Sequence, residues 1–329
     1  MNDFQNCDTI IKNMDNKQFT FIDLFAGIGG IRLPYEKLGG KCVFSSEIDK
    51  RAIETYKANF NEVPSGDITK IDARDIPNFD ILLGGFPCQA FSVAGKKLGF
   101  EDVRGTLFFE IVRILKEHKP KAFHLENVKG LLSHNNGNTF KAMLNILENE
   151  LDYKVFYKVL NAKDFGVPQH RNRVMIVGFK NKNANFTFPE PTNENVCLGN
   201  ILEKNVSSKY TISDKLWAGH QRRKQENKKK GKGFGYNLYD ENSRYTVTIS
   251  ARYYKDGSEI LIKQCGQNPR KLTPRECARL QGFPDTFVLP NISDCHLYKQ
   301  FGNSVPTMMI GAVAKNIIKE LKRLGEIYG

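Results

Sequence analysis

No run of about 18 consecutive apolar residues occurs in the sequence, so nothing in it predicts a membrane-spanning helix. The first residues include Asp3 and Asp8 and no apolar segment, a pattern that does not match a signal peptide. The seven cysteines are odd in number and scattered, and no two of them form a C-x-x-C pair. This spacing favours neither a disulfide framework nor a structural zinc site, and it indicates a reducing compartment.

Acidic residues are scarce relative to basic ones, with 36 Asp and Glu against 49 Lys and Arg and a formal net charge of +13. The excess is uneven, because residues 180–329 contain 25 basic and 14 acidic side chains whereas residues 1–179 are nearly neutral. Such asymmetry favours a polyanionic partner, although composition alone fits a merely basic protein equally well. The hydrophobic content of 40% indicates a globular chain.

Residues 19–179 alternate between short apolar runs and segments with helical periodicity. Strands are predicted at 19–25, 41–46, 79–83, 121–125, 155–160 and 173–179, and helices at 49–59, 104–118 and 139–151. This alternation predicts an α/β fold with a mostly parallel sheet covered on both faces. We assign residues 1–185 to this first domain, with residues 1–18 as a polar arm.

The alternation stops near Lys180, where the Asn- and Pro-rich stretch 181–195 has the composition of a linker. Beyond it the chain is basic, glycine-rich and aromatic, with short β-like runs at 245–250 and 259–262. We therefore predict a second, smaller and mostly irregular or β domain at 186–296. Helical periodicity returns at 304–324, and we expect segment 297–329 to pack back on the first domain.

A glycine-rich turn after the first strand is the best candidate for a cofactor loop. Gly27 and Gly29 begin a dinucleotide fingerprint, but Arg32 occupies the position of its third glycine, which argues against a nicotinamide oxidoreductase. Glu47 ends the second strand, where Rossmann-like folds place the acid that binds ribose hydroxyls. An adenosine-type ligand is therefore favoured over a pyrophosphate-bearing one, although such a turn often binds no ligand.

Chemically reactive side chains follow later strands, at the edge where open α/β sheets bind ligands. Cys88 lies on a turn, which favours a nucleophile over the commoner buried cysteine. Glu126 ends an apolar strand, where a carboxylate is costly unless it is paired. Arg171 and Arg173 precede the last strand and are either site residues or a solvated charge pair.

A zinc site is the main alternative for these residues. His124 and Glu126 form the H-x-E pattern of zinc nucleobase deaminases, which requires a following P-C-x-x-C. Here Pro87 and Cys88 come first and Phe91 replaces the second cysteine, so we predict no metal.

Much of the basic excess lies at 215–232, where eight Lys and Arg side chains stand against Glu226 alone. This segment runs into glycine- and aromatic-rich stretches at 231–236 and 250–255. Basic residues interleaved with aromatics suit contact with phosphates and insertion into a groove. The plainer alternative is a solvated charged face.

Six ordered motifs resemble those of the bacterial DNA (cytosine-carbon-5) methyltransferases, and the resemblance covers nearly all of the chain after Lys17. The motifs are DLFAGIGG at 23–30, GFPCQAFS at 85–92, ENV at 126–128, Q-x-R-x-R at 169–173, RECARLQGFP at 275–284 and GNSV at 302–305. The resemblance implies a Rossmann-like, S-adenosylmethionine-dependent methyltransferase sheet, with residues 186–296 as a target-recognition domain.

The resemblance also implies a mechanism. Cys88 attacks carbon 6 of a cytosine flipped out of duplex DNA, which makes carbon 5 nucleophilic toward the methyl group of S-adenosylmethionine. Glu126 holds N3 of the base and favours its protonation, with Asn127 as its orienting neighbour. Arg173 matches the arginine that grips the flipped base, and we include Arg171 in the same catalytic set. Loss of the carbon-5 proton then releases the cysteine.

Positions across the chain match the family's S-adenosylmethionine site. They are Phe25, Gly27, Gly29, Glu47, Asp67, Ile68, Leu107, Asn303 and Val305. One departure is Ile48, where many members have Trp after the ribose-binding acid. We expect weaker packing against adenine there, without loss of binding.

The variable region at 231–262 resembles that of the Dcm-type enzymes, which act on the inner cytosine of CC(A/T)GG or CCNGG sites. We therefore predict a CCWGG- or CCNGG-like target in double-stranded DNA. The residues expected to contact DNA are Gln89, Lys228, Lys229, Lys230, Lys232, Phe234, Tyr236, Thr248, Arg252 and Tyr254.

Two alternatives share the expected fold. A tRNA methyltransferase is expected to have a Cys-Phe-Thr segment after the variable region, which this sequence lacks. A non-catalytic DNA-binding member is expected to have lost Cys88, Glu126 or Arg173, and all three are present. The resemblance further implies a monomer in the bacterial cytoplasm, nucleoid-associated through its DNA, and it leaves open a cognate restriction endonuclease acting independently on the same site.

Overall fold

The computed structural model describes residues 19–86, 107–192, 194–233 and 235–328. Its strands are β1 (Phe19–Leu24), β2 (Gly40–Ser46), β3 (Ile81–Gly85), β4 (Ala122–Val128), β5 (Lys154–Asn161), β6 (Asn172–Phe179), β7 (Leu238–Tyr239), β8 (Leu261–Gln264) and β9 (Gln267–Lys271). Its helices are α1 (Arg32–Lys37), α2 (Lys50–Phe60), α3 (Leu107–His118), α4 (Asn138–Asn145), α5 (Asp214–Lys229), α6 (Pro274–Leu280), α7 (Asp294–Asn303) and α8 (Thr307–Arg323). None of the helices in these ranges combines the length and apolar character needed to cross a bilayer.

The larger sheet has the strand order β2-β1-β3-β4-β6-β5. Strands β1 to β4 pair in parallel, whereas β6 pairs antiparallel with both β4 and β5. The predicted α/β fold with a mostly parallel sheet is thus confirmed. Because β6 runs against its neighbours, its first residues lie at the same edge of the sheet as the carboxyl ends of β1 to β4.

Helices cover both faces of this sheet. On one face α1 and α8 pack against β1 and β6, with Tyr35, Ile310 and Val177 among the buried side chains. On the other face α3 and α4 pack, with Ile111 and Met143 among the buried side chains. Burial of each such side chain contributes roughly 1.5–3 kcal/mol of hydrophobic stabilisation. Because protein interiors are closely packed, these two layers hold the sheet, and with it the edge that carries polar residues, in a fixed position.

The region after the first sheet differs in part from the prediction. It contains a small sheet in the order β7-β8-β9, but it also contains α5, a helix of 16 residues. Ser213 begins this helix by accepting a hydrogen bond from the Leu216 backbone N–H. The sequence analysis missed it because only His220 is buried along the helix, which leaves no apolar stripe at helical spacing.

The β-like run at 245–250 forms no named strand, so that prediction is wrong. Its pairing is one isolated parallel bridge between Thr246 and Gln169. The run at 259–262 is partly correct, since β8 begins at Leu261. Of the alternating residues in this run, Tyr245 and Val247 are exposed and only Ile249 is buried. Ile249 belongs to a third core cluster, which also contains Ile28 and Phe301.

A buried carboxyl lies inside the larger sheet. Asp23 of β1 sits between Ser45 of β2 and Leu83 of β3, and it is 1% exposed. Neither of its oxygens has a hydrogen-bond partner among the described residues. Burial raises the pKa of Asp23 to about 8, against the smaller opposing effect of the Arg32 charge.

We predict that Asp23 makes the protein less stable as the pH rises. The folded state retains this proton up to about pH 8, whereas the unfolded chain releases it near pH 4, so the free energy of unfolding falls across that interval. Asp23→Asn cannot ionise, and urea unfolding should show its stability relative to wild type increasing by about 2 kcal/mol between pH 6 and pH 8.

The matched control is Asp285→Asn, since Asp285 is exposed and its hydrogen bond to Arg279 lowers its pKa. Its stability difference from wild type should be constant between pH 6 and pH 8. A constant difference for Asp23→Asn as well would show that Asp23 is already ionised in the folded protein.

Candidate active site

A cavity of about 560 Å³ opens at the edge where β1 to β4 end and β6 begins. Its wall includes eight of the nine residues predicted for the cofactor, which are Phe25, Gly27, Glu47, Asp67, Ile68, Leu107, Asn303 and Val305. It also includes Glu126, Asn127, Arg171 and Arg173 from the predicted catalytic set, and Thr248 from the predicted DNA contacts. Residues from distant parts of the chain therefore share one cavity.

The Glu47 carboxylate connects the loop after β1 to the backbone that follows β2. Phe25 and Gly27 both have a positive φ, of 57° and 56°. The Glu47 carboxylate accepts hydrogen bonds from the backbone N–H of Gly27 at 2.7 Å, of Ile48 at 2.8 Å and of Asp49 at 2.7 Å. A Cβ on Gly27 would meet no heavy atom of the described residues within 4 Å, so the loop backbone faces open space.

Gly29 is the one predicted cofactor residue that does not line the cavity. A Cβ at this position would lie 2.1 Å from the Phe60 ring, so Gly29 allows α2 to pack closely against the loop. The Arg32 guanidinium lies 4.3 Å from the centre of the same ring and donates hydrogen bonds to Tyr56 and Glu62. The arginine that breaks the dinucleotide fingerprint thus supports the loop from behind.

One end of the cavity is largely apolar. Ile68 and Leu107 contribute to its wall, and Ile48 lies there with 70% of its surface exposed. Asp67 caps a short 3-10 turn by accepting hydrogen bonds from Thr69, which lower the pKa of its carboxyl. An apolar wall flanked by carboxylates suits a flat base attached to a ribose.

The other end of the cavity contains a buried ion pair. Arg173 Nε lies 2.7 Å from Glu126 Oε1, and both side chains are at least 88% buried because β6 runs antiparallel beside β4. Burial raises the pKa of Glu126, while the charges of Arg173 and Arg171 act in the opposite direction. A carboxyl that keeps its proton to higher pH than usual can donate that proton to a bound base.

Asn127 connects this end of the cavity to the chain that follows β3. Its Nδ2 donates a 2.9 Å hydrogen bond to the carbonyl of Phe86, and its Oδ1 accepts one from the Val128 N–H. Phe86 is buried and is the last described residue before the predicted nucleophile. Cys88 and Gln89 themselves lie outside the described residues.

Arg171 also lines the cavity, and its Nη donors are directed to the backbone, whereas its buried Nε has no hydrogen-bond partner among the described residues. Its Nη1 donates to the carbonyl of Ile249 at 2.9 Å, and its Nη2 donates to those of Gly302 at 3.0 Å and Ser304 at 2.6 Å. Burial lowers the pKa of Arg171 to about 9, so it remains charged at neutral pH. The Nη bonds of Arg171 thus connect the backbone at Ile249 to the backbone at Gly302 and Ser304.

The predicted DNA contacts fall into separate groups. Thr248 lies on the cavity wall and donates a 2.7 Å hydrogen bond to the His170 carbonyl. Lys228, Lys232 and Tyr236 line a second groove of about 580 Å³ beside α5. The remaining lysines of the group, Lys229 and Lys230, are exposed at the end of α5, Arg252 and Tyr254 are exposed, and Phe234 lies outside the described residues.

The second groove is built on an aromatic contact. The Lys224 Nζ lies 4.2 Å from the centre of the Tyr236 ring, and Trp217 packs edge-on against the same ring. Glu259 lines this groove and hydrogen-bonds to Ser250, which lines the first cavity. The groove and the cavity are therefore neighbours joined by one side-chain contact.

The sequence analysis gave no role to three residues that organise the site. Gln169 is fully buried and bonds to segments far away in sequence, and Lys299 pairs with Asp49 at 2.8 Å on the cavity wall. Gln169 stands in the Q-x-R-x-R motif, which was a usable signal, whereas the Lys299–Asp49 pair joins α7 to α2 and leaves no local pattern.

No group of three His, Cys, Asp or Glu side chains in the described ranges forms a candidate metal site.

Comparisons with known proteins agree with this geometry. The sequence pattern of the C-5 cytosine-specific DNA methylases matches residues 19–319. The chain is 61% identical to the type II methyltransferase M1.ScrFI of Lactococcus lactis subsp. cremoris, over 95% of this chain and 81% of that protein. It is 57% identical to M.NlaX of Neisseria lactamica, over 94% of this chain and 99% of that protein.

Solved structures with the same fold include the Entamoeba histolytica methyltransferase EhMeth, with a TM-score of 0.76 and 21% identity over 93% of this chain and 99% of that chain. Spodoptera frugiperda DNMT2 follows with a TM-score of 0.75 and 23% identity over 91% of this chain and 99% of that chain. At these identities the likeness concerns the fold, and the sequence relatives carry the function. The chain belongs to the C-5 cytosine-specific DNA methylase family, and it is an enzyme that methylates carbon 5 of cytosine in DNA.

Proposed function

We propose that the enzyme flips its target cytosine into the cavity and methylates it from S-adenosylmethionine, with Cys88 as the nucleophile. The observation that carries this proposal is the cavity itself, because its lining includes both the buried Glu126–Arg173 pair and the Glu47 loop. A base taken out of the stack needs a shaped pocket with hydrogen-bonding groups, and the paired end of the cavity has that character.

The residues at the apolar end fit an adenosyl ligand. The Glu47 carboxylate is preorganised by three backbone N–H groups, and the lone pair that remains on Oε2 can accept a hydrogen bond from a ribose hydroxyl. The open space beside Gly27 allows a ligand to approach the loop backbone. Phe25, Ile68 and Leu107 supply apolar surface. Asn303 and Val305, from the GNSV motif, also line the cavity. S-adenosylmethionine, when bound, supplies an electrophilic methyl group.

The protein's own residues then account for activation of the base. The Cys88 thiolate adds to carbon 6 while N3 gains a proton from Glu126, which makes carbon 5 electron-rich. Glu126 is suited to this donation because burial raises its pKa. Arg173 holds the Glu126 carboxylate at 2.7 Å, and Asn127 holds the carbonyl of Phe86, two residues before the cysteine. After carbon 5 has gained the methyl group, loss of its proton to solvent breaks the carbon 6–sulfur bond and releases the thiolate, and N3 returns its proton to Glu126.

We predict that Cys88→Ser abolishes methyl transfer to duplex DNA. A serine hydroxyl ionises far less readily than a thiol at neutral pH, so transfer of labelled methyl groups should fall by at least about 10²-fold. Wild type should also be trapped covalently on a duplex that contains 5-fluorocytosine, because fluorine cannot leave carbon 5 as a proton does.

The control is Cys265→Ser, which changes an exposed cysteine outside the cavity wall. It should retain wild-type transfer and trapping. Equal activity in wild type and Cys88→Ser would refute the assigned nucleophile.

We also propose that α5 and the groove beside it bind the DNA backbone. Lys228, Lys229 and Lys230 end the helix with exposed side chains, and the groove places Lys232 beside Tyr236. Exposed ammonium groups near an aromatic floor suit phosphates and sugars. Residues 186–296 would then form the target-recognition domain, 1–185 the catalytic domain and 297–329 the segment that closes it.

Neutralising Lys228, Lys229 and Lys230 to Gln should weaken DNA binding and reduce its dependence on salt. Each lost phosphate contact removes about 0.9 from the slope of log K against log salt concentration, so the slope should flatten by up to about 3. Sequence preference should change little, because phosphate contacts do not read bases.

An equal charge change at Lys315, Lys319 and Lys322 of α8 is the matched control. It should leave the slope unchanged, as measured by fluorescence anisotropy from low to physiological salt. Identical slopes for both triple variants would assign the α5 lysines to a solvated face.

We propose a CCWGG- or CCNGG-like target, read by the segment that includes Thr248 and Arg252. Enzymatic methylome sequencing of a host without cytosine methylation should then show modification at the inner cytosine of these sites. The same host expressing Cys88→Ser should show none. Methylation confined to another motif would contradict this target.

The cellular setting follows from the substrate and from the relatives. M1.ScrFI and M.NlaX are named type II methyltransferases, which supports a role in restriction and modification. We propose that the enzyme acts as a monomer on chromosomal DNA in the bacterial cytoplasm, nucleoid-associated through that DNA. A cognate endonuclease would act on the same site independently.

A further inference from the structure

Three segments of the chain meet beside the catalytic end of the cavity. They are residues 168–171 at the entrance to β6, residues 246–251, and residues 300–305 at the end of α7 and just beyond it. Each segment contributes residues to the cavity wall, including Arg171, Thr248 and Asn303. The hydrogen bonds between these segments therefore fix the positions of Arg171, Thr248 and Asn303 relative to one another.

The first two segments are joined by a short ladder. The backbone N–H of Thr246 donates to the Pro168 carbonyl at 2.9 Å, and that of His170 donates to the Thr246 carbonyl at 2.8 Å. The Thr248 hydroxyl then donates to the His170 carbonyl at 2.7 Å. Segment 246–248 is thus fixed to the entrance of β6 although it belongs to no strand.

A buried pair of amides extends the junction. The Gln169 Oε1 accepts a 3.1 Å hydrogen bond from the Ile249 N–H, and its Nε2 donates to the Leu280 carbonyl and to Gln281 Oε1. The Gln281 Nε2 in turn donates to the Phe301 carbonyl at 2.6 Å. Both glutamines are 0% exposed, so these bonds form where water cannot replace them.

Arg171 closes the junction. Its Nη1 bonds to Ile249 of the second segment, and its Nη2 bonds to Gly302 and Ser304 of the third. The two backbones touch directly, because a Cβ on Gly302 would lie 2.3 Å from the Ser250 backbone. The fork of one guanidinium therefore spans two segments, a geometry that a single ammonium cannot reproduce.

We propose that Arg171 is a positioning residue of this enzyme, which, together with Gln169, holds Thr248 and Asn303 in register with Glu126. Its Nη atoms serve backbone carbonyls, and so it acts on the base and the cofactor through the segments that it joins. The inference rests on the proposed function, in which segment 246–251 approaches DNA and segment 302–305 approaches the cofactor. Loosening the junction then affects both ends of the cavity together.

A double-mutant cycle of Arg171→Lys and Gln169→Met tests this role. Displacing a site by about 1 Å costs about 10²-fold in rate, so each single variant should lose about that much in kcat. Each should also bind S-adenosylmethionine several-fold more weakly in equilibrium dialysis without DNA. The double variant should be no worse than the poorer single variant, because both changes break the same junction.

Arg270→Lys is the matched control for a purely structural effect. Arg270 is a buried arginine with a bidentate bond to Glu276 at 2.7 Å and 2.8 Å, and it does not line the cavity. This variant should lower Tm to a similar extent while retaining wild-type kcat and cofactor affinity. All assays are run well below the lowest Tm of the set, so that the variants are compared as folded proteins.

Three outcomes would overturn the proposal. Defects in kcat that multiply in the double variant would show that Arg171 and Gln169 do not act through one shared junction. Unchanged cofactor binding in Arg171→Lys would separate the two ends of the cavity, and an equal loss of kcat in Arg270→Lys would reduce the effect to stability. Failure of the proposed function is distinguishable, since it would appear as full methyl transfer by Cys88→Ser.

Discussion

A carboxyl group buried at the end of a parallel strand is the constraint on which this site depends. Glu126 is 8% exposed, and burial on that scale is tolerated when a cation lies beside it. An antiparallel β6 meets this need, because its first residues then reach the carboxyl end of β4, with Val128 paired to Arg173. A parallel strand in that position would present its last residues there instead. The direction of β6, the Glu126–Arg173 ion pair and the position of the cavity are therefore linked.

The same strand entrance organises the rest of the cavity. Arg171 lies two residues before Arg173, and its Nη atoms donate hydrogen bonds to loops that come from residues 249 and 302–304. Two neighbouring arginines thus have different surroundings: one faces the carboxyl and the other faces backbone carbonyls. A third apolar cluster, which includes Ile28, Ile249 and Phe301, supports the loops from below. The site is assembled from contacts that are far apart in sequence.

Binding of a long polyanion and chemistry on a single base impose different requirements, and the molecule separates them. The lysines of α5 are exposed and lie beside a groove lined by Tyr236, where charges in contact with solvent are screened by salt. At the other end of the cavity, the charges of Glu126 and Arg173 are buried and paired at 2.7 Å. The bond between Ser250 and Glu259 connects the two regions, so the groove beside α5 and the cavity are adjacent.

Local sequence patterns were sufficient to predict the α/β alternation, the glycine turn with Glu47, and an apolar strand that ends in the carboxyl of Glu126. These features depend on neighbours within about 20 residues or on a strand ending in an unusual side chain. The sequence did not predict α5, because a helix that buries only His220 has no apolar period, and it assigned a strand to 245–250 where hydrogen bonds to 168–170 take its place.

Tertiary structure alone decided which arginine meets Glu126 and which meets the loops, since Arg171 and Arg173 are alike in composition and spacing. It also decided that Gly29 faces Phe60 and that Gln169 is a buried junction. The reason is physical: these roles are set by partners outside the local sequence, 78 to 133 residues away for the bonds of Arg171 to Ile249, Gly302 and Ser304. The sequence by itself determined the chemistry available, and the fold determined where each group could act.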